Sequence, residues 1–138
     1  AGHAGSTPRA LAKVASGGEL ARISLAISVI TSKASFTPTL IFDEVDAGIG
    51  GAVAETVGKL LRQLGQSHQI LCVTHLPQVA AQGNHHLKVS KSQADDKTLS
   101  QVMPLGRPER VEEVARMLGG ATITDTTRRH ARELLEKN

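Results

Sequence analysis

Aromatic residues are nearly missing from this chain. Phe36 and Phe42 are its only two, with no Trp and no Tyr among 138 residues. Its core has to be aliphatic, built from Leu, Ile, Val and Ala, and a surface that binds single strands by stacking bases on rings is almost excluded. Cysteine is scarce too. Cys72 stands alone, which excludes an intramolecular disulfide framework and makes a reducing, cytoplasmic setting the expectation. No apolar run approaches the roughly 20 residues of a membrane-spanning helix, so no membrane partner is expected. Ala1 to Ala10 (AGHAGSTPRA) lacks the apolar stretch of a signal peptide. Residues 1–10 read as a linker or an expression-derived segment without fold information.

What is present is ordinary for a globular protein. Hydrophobic residues make up 40% and charged residues 21%, which excludes disorder, collagen and coiled coil for the chain as a whole. The length fits one domain or half of a larger one, and it suffices for a real core. Sixteen Lys and Arg against 13 Asp and Glu give a net charge of +3. The plain reading is a mildly basic soluble protein, and an anionic partner stays open.

Periodicity places the elements. Leu20, Ile23, Ile27 and Ile30 form one helical stripe within Gly18 to Lys33, with Ser16 and Glu19 spaced as a capping box. Thr39 to Phe42 is an unbroken apolar run, the pattern of a strand buried on both faces of a parallel sheet. Val53, Val57, Leu60, Leu61 and Leu64 make a second helical stripe from about Ala52, with Gly65 as its stop, and Gln69 to Thr74 repeats the buried-strand pattern. Strand, helix and strand in that order predict a βαβ unit and an α/β fold. A short helix is expected after His75 with Pro77 near its start. Leu87 to Ser90 and Leu99 to Met103 are weaker strand candidates around a polar turn, Lys91 to Lys97. Glu109 to Leu118, ending at Gly119-Gly120, and Thr124 to Lys137 read as the last helices.

Three short constellations suggest chemistry. Asp43 and Glu44 follow an apolar strand, and the carboxyl ends of such strands are where ligands sit in α/β sheets. Two acids there suit a hydrated Mg²⁺ held by the first and a water activated by the second. A strand that merely ends in charged loop residues is the plainer alternative. Ser16-Gly17-Gly18-Glu19 opens a helix, where free N–H groups and the positive dipole end favour an anion, although an ordinary capped turn has the same composition. Thr74-His75 ends the second strand, putting a His beside the acids if the strands are neighbours; a solvated strand-end His is the alternative. Asp46 and Gly48 lie in the loop after the acids, where turn chemistry also explains them. Cys72, inside a strand, reads as a small hydrophobe, and adjacent His85 and His86 do not suggest a metal site.

The order of these pieces is more specific than any one of them. It resembles the carboxyl half of an ABC-type ATPase head. Ala15-Ser16-Gly17-Gly18-Glu19 looks like the signature motif, Leu40 to Asp43 like Walker B, Glu44 like the catalytic glutamate, Val45 to Gly48 like the D-loop, and His75 like the switch histidine. The runs LAKVASGGELARISLAI, IFDEVDAGIGG and CVTHLPQVAAQG are similar to the SMC-like branch that serves bacterial DNA repair, from Leu11 to the end. A Walker A loop has Gly, four residues, then Gly-Lys-Ser/Thr. The nearest run, Val57-Gly58-Lys59-Leu60, lacks the hydroxyl, has Val53 in place of the first glycine and falls in a predicted helix.

The resemblance implies a fold and a mechanism. Residues 11–138 would form the carboxyl-terminal lobe of the head, a mostly parallel sheet flanked by helices. ATP and Mg²⁺ would bind between two heads of a homodimer. Asp43 would hold the metal, Glu44 would activate water and His75 would meet the γ-phosphate. Ser16, Gly17, Gly18 and Glu19 would reach the other head's nucleotide in trans, with Asp46 and Gly48 in the D-loop. The amino-terminal Walker A lobe of the same protein, a second head and DNA would be partners, with nucleoid association in the cytoplasm and double-strand break repair as the role. The lobe alone would be inactive. Two rivals remain at this point: another SMC-like or ABC ATPase, transport included, and a non-catalytic dimerisation or DNA-binding module using Arg9, Lys13, Arg107, Arg110, Arg116, Arg128, Arg129 and Arg132. Scattered arginines of that kind more usually form a solvated face.

Overall fold

The structure is a computed structural model that describes residues 23, 24, 26–28, 39–43 and 48–137. The chain divides into two compact units, Ala1–Gln82 and Gly83–Asn138.

In the first unit the predicted βαβ order is present. Strand β1 (Thr39–Asp43) pairs in parallel with β2 (Gln69–Val73), and helix α1 (Gly51–Leu64) connects them. The α1 stripe works as its spacing predicts: Ala54, Val57 and Leu61 are buried, and Leu60 and Leu64 flank them. They pack with Phe42, Ile49 and Val79 in one core that is aliphatic apart from Phe42. Residues 23, 24 and 26–28 are helical, and Ile23 and Ile27 are buried in the same core, as their i, i+4 spacing requires. The remainder of that predicted helix, with Leu20 and Ile30, lies outside the described residues. The short helix α2 (Pro77–Ala80) follows β2 with Pro77 in its first turn.

One expectation fails here. The strands are buried on one face only. Alternation along paired strands sends Leu40, Phe42, Ile70 and Cys72 toward the core, and Ile41, Leu71 and Val73 to the opposite face. Ile41 is 70% exposed and Val73 58%. A crossover helix covers one face of the pair it connects, and α1 is that helix. The unbroken apolar run therefore states what the strands need covered, and the described residues cover half of it.

In the second unit, β3 (Leu87–Ala94) and β4 (Lys97–Pro104) form an antiparallel hairpin. The turn is much tighter than the seven-residue one predicted. Only Asp95 and Asp96 form it, at φ of 51° and 60°. Two consecutive left-handed residues make the kind of turn that matches strand twist. The polar stretch on either side is strand, because a hairpin solvated on both faces needs no apolar alternation. Helices α3 (Arg107–Gly119) and α4 (Asp125–Glu136) pack together through Val111, Val114 and Ala115 on one and Ala131 and Leu135 on the other. Thr124 caps α4: its Oγ1 accepts from Thr127 N at 3.2 Å, and Thr127 Oγ1 accepts from Thr124 N at 2.8 Å. Each capping exchange of this kind stabilises a helix by about 1 kcal/mol.

Candidate functional site

The carboxyl ends of β1 and β2 position the site. In the parallel register Asp43 is the partner of Val73, so Thr74 and His75 leave the sheet directly beside the acidic end of β1. The hypothesis that the two strands are neighbours, on which any joint role for Asp43 and His75 depends, therefore holds. Asp43 is exposed and shares its face with Ile41, Leu71 and Val73. His75 is exposed as well. Its turn is defined on both sides. Thr74 Oγ1 accepts a hydrogen bond from Leu76 N at 3.0 Å, and Pro77 starts α2 immediately afterwards.

Gly48 sits in the loop between β1 and α1 at φ +79°, a conformation that suits glycine and strains most other residues. Gly50 caps α1 in extended geometry without any side-chain hydrogen bond. The structure thus brings Asp43 and the Thr74-His75 turn to one end of one sheet, and Gly48 lies in the chain segment between β1 and α1. Glu44 and Asp46 lie outside the described residues, as do Ser16, Gly17, Gly18 and Glu19.

The donor chemistry fits a hard cation in part. Asp43 supplies an exposed carboxylate at a strand end, the kind of ligand a hydrated Mg²⁺ takes. A phosphate-cradling loop is a different matter. The run around Gly58-Lys59 lies inside α1, where Gly58 is buried and Lys59 pairs with Glu55 on the same helix at 3.3 Å. Those residues cannot wrap a phosphate.

Sequence reasoning treated Gly58 as a failed phosphate motif and missed its actual work. A methyl at Gly58 would stand 3.1 Å from the Gln78 carbonyl oxygen and 3.2 Å from Val79 Cα. Glycine is there so that α2 can lie on α1 backbone to backbone. The signal was available: a glycine in mid-helix costs up to about 1 kcal/mol relative to alanine and asks for a packing reason. Arg62 Nη1 adds a hydrogen bond to the Gln82 carbonyl at 2.7 Å.

Several arginines considered for nucleic acid engage partners in their own unit. Arg110 Nη2 donates to the Gly83 carbonyl at 2.6 Å, Arg116 pairs with Glu113, and Arg128 Nε donates to Glu112 Oε1 at 2.8 Å. Glu113 is only 5% exposed. Burial alone would raise its pKa, but contacts from Arg116 and Lys88, the latter at 2.9 Å, hold it below the usual carboxylate value. Burial pushes the His86 pKa down, the Arg110 cation pushes it further, and Glu113 opposes both.

No family model matches the chain. Sequence relatives do. The chain is 56% identical over 132 residues to the DNA repair protein RecN of Haemophilus influenzae, covering 96% of this chain and 24% of that protein. It is 58% identical over 125 residues to RecN of Vibrio cholerae, covering 91% of this chain and 23% of that one. RecN of Bacillus subtilis is 44% identical over 135 residues, covering 98% of this chain and 23% of the relative. The chain is strongly similar to a segment of RecN proteins. It spans about a quarter of the length of the curated relatives it matches, and corresponds to their carboxyl-terminal part. A solved structure from work on ATP-driven dimerization and DNA-stimulated activation of SMC ATPases matches its fold. The TM-score is 0.58 at 20% identity, over 80% of this chain and 66% of the other. Over the matched region the chain thus shares the α/β fold of that solved structure. Among the described residues no helix is long and apolar enough to cross a membrane.

Proposed function

We propose that this RecN-family segment, over residues 11–138, is the carboxyl-terminal lobe of an SMC-like ATPase head that acts in DNA double-strand break repair, with residues 1–10 outside the lobe. One observation carries the reading: the β1–β2 register puts Asp43 and the Thr74-His75 turn side by side at one sheet end.

The roles follow from position and residue type. Asp43 binds the cation, and Mg²⁺ supplies charge neutralisation at the phosphates when bound. Glu44, next in the chain, accepts a proton from the attacking water. His75 donates to the γ-phosphate of ATP. Ser16, Gly17, Gly18 and Glu19 present helix-start N–H groups to a nucleotide held on the partner head of a homodimer. Asp46 and Gly48 shape the loop between the acids and α1. The chemistry asks mainly for positioning and electrostatics, so its groups can come from two subunits. ATP then holds heads together and hydrolysis releases them, which is a γ-phosphate-gated switch.

Two features support a missing half. The bare face of Ile41, Leu71 and Val73 asks for a cover, and Gly58-Lys59 is unavailable to phosphate. The amino-terminal Walker A lobe of the same protein would supply both the cover and the phosphate loop. DNA is the partner of the whole protein, which works at the nucleoid.

Glu44→Gln in the longer RecN-type protein tests the reading. ATP turnover should fall by about 10²–10⁴-fold, the usual worth of a general base, with ATP binding retained and ATP-dependent dimers persisting in light scattering. Normal turnover would remove Glu44 from its role. The segment alone should hydrolyse no ATP above background, and robust turnover by it would refute the composite site.

A further inference from the structure

The segment that carries His75 approaches the first turn of α1 through a side chain outside the proposed chemistry. We propose that Gln78 is a positioning residue for His75; the inference rests on the reading of His75 given above. Helix α2 begins two residues after His75, and α2 with the turn after it meets α1 at three levels. Far from the sheet end, Arg62 on α1 donates to the Gln82 carbonyl at 2.7 Å. In the middle, Gly58 admits the backbone of Gln78 and Val79. At the near end, Gln78 Nε2 lies 3.3 Å from where a methyl on Gly51 would stand.

Gly51 is the first residue of α1 and directly follows the Gly48–Gly50 loop out of β1. The near-end approach is therefore the one that joins the start of α2, beside His75, to the start of α1, and it is made by a side chain. His75 sits between two restraints: the Thr74 hydroxyl, which accepts from Leu76 N, and Gln78. Pro77 and Val79 are the buried residues of α2, so trimming half-buried Gln78 leaves the packing of the helix in place. What it frees is a pivot of the helix start about the Gly58–Val79 contact, and His75 is on the moving end.

The experiment uses the full-length RecN-type protein, with ATP turnover and thermal unfolding measured on Gln78→Ala, His75→Ala and the double variant. Misplacing a reacting group by about 1 Å costs up to 10²-fold, and a side-chain restraint on a short turn should cost about tenfold in kcat. KM for ATP and the unfolding midpoint should stay unchanged. Gln78→Ala should add nothing in the His75→Ala background, because it acts through His75. Unchanged kcat in Gln78→Ala beside an impaired His75→Ala overturns the inference and leaves the site reading intact. So does a tenfold loss that persists without His75, or one that tracks a lowered midpoint. An unimpaired His75→Ala overturns the site reading and this inference with it.

Discussion

A methyl group on Gly58 would stand 2.8 Å from Gln82 Cγ. Real carbon contacts are not that short, and Gln82 is buried, so α1 or the segment that follows α2 would have to move. Gly58→Ala gains the better helix propensity of alanine, up to about 1 kcal/mol, and loses more through overpacking, which costs about 1–3 kcal/mol. Urea unfolding of the whole chain should show a lower midpoint. A higher midpoint would show that α2 shifts freely on α1.

The turn between β3 and β4 holds two aspartates in left-handed geometry. Replacing Asp95-Asp96 with Asn-Gly supplies the residues such turns favour. The fold should gain up to about 1 kcal/mol, since glycine avoids the roughly 1–2 kcal/mol left-handed penalty and its greater freedom in the unfolded chain offsets part of that gain. Hydrogen exchange across the β3–β4 ladder should slow; an unchanged rate would show that the turn stores no strain.

Acid should weaken the second unit in two stages. The His86 pKa in the folded chain lies below its ordinary 6.5. Its neutral form is favoured by folding, so that contribution is complete above pH 6.5 and is lost as pH falls through the folded value. The Glu113 pKa lies below its ordinary 4.5. Its charged form is favoured, and that contribution is complete above pH 4.5 and is lost at lower pH still. Thermal midpoints taken from neutral pH downward should drop in the upper window for the parent chain, and stay flat there for His86→Gln. Glu113→Gln should remove the lower stage and lower the midpoint at neutral pH as well, because Lys88 and Arg116 lose their carboxylate.

Ile41, Leu71 and Val73 should make the segment self-associate. Each fully covered aliphatic side chain of this size stabilises a contact by about 1.5–3 kcal/mol. Sedimentation of the segment alone should show concentration-dependent association that Ile41→Thr with Val73→Thr reduces. The pair keeps β-branched side chains, so strand geometry survives. Association that the substitutions leave untouched would place the contact elsewhere.

The helices were legible because apolar residues recur where 3.6 residues per turn put them, as Val57 and Leu61 show. The parallel pair was legible from two apolar runs around a helix. The bare face was not, because a run such as Leu40-Ile41-Phe42 states that both sides want cover and cannot say where the cover comes from. The hairpin was legible only at its apolar base, since Ser90, Ser92 and Gln93 follow no apolar alternation. Asp43, Gly48 and His75 were named from order along the chain, and the strand register is what makes neighbours of Asp43 and the Thr74-His75 turn. Gln78 had no sequence signal: its meaning depends on Gly51, far away along the chain and adjacent in space.

Asp43 stands at the rim of the plane formed by Ile41, Leu71 and Val73. Any protein surface that settles on that plane also strips water from the carboxylate and lowers the dielectric around it. A cation at Asp43 and a cover on the plane would then influence each other's affinity, and thermodynamic reciprocity makes the factor the same in both directions. Covering the plane and binding a cation would be linked equilibria, readable from either side: cation titrations should shift when the cover is present, and cover binding should shift by an equal free energy when the cation is.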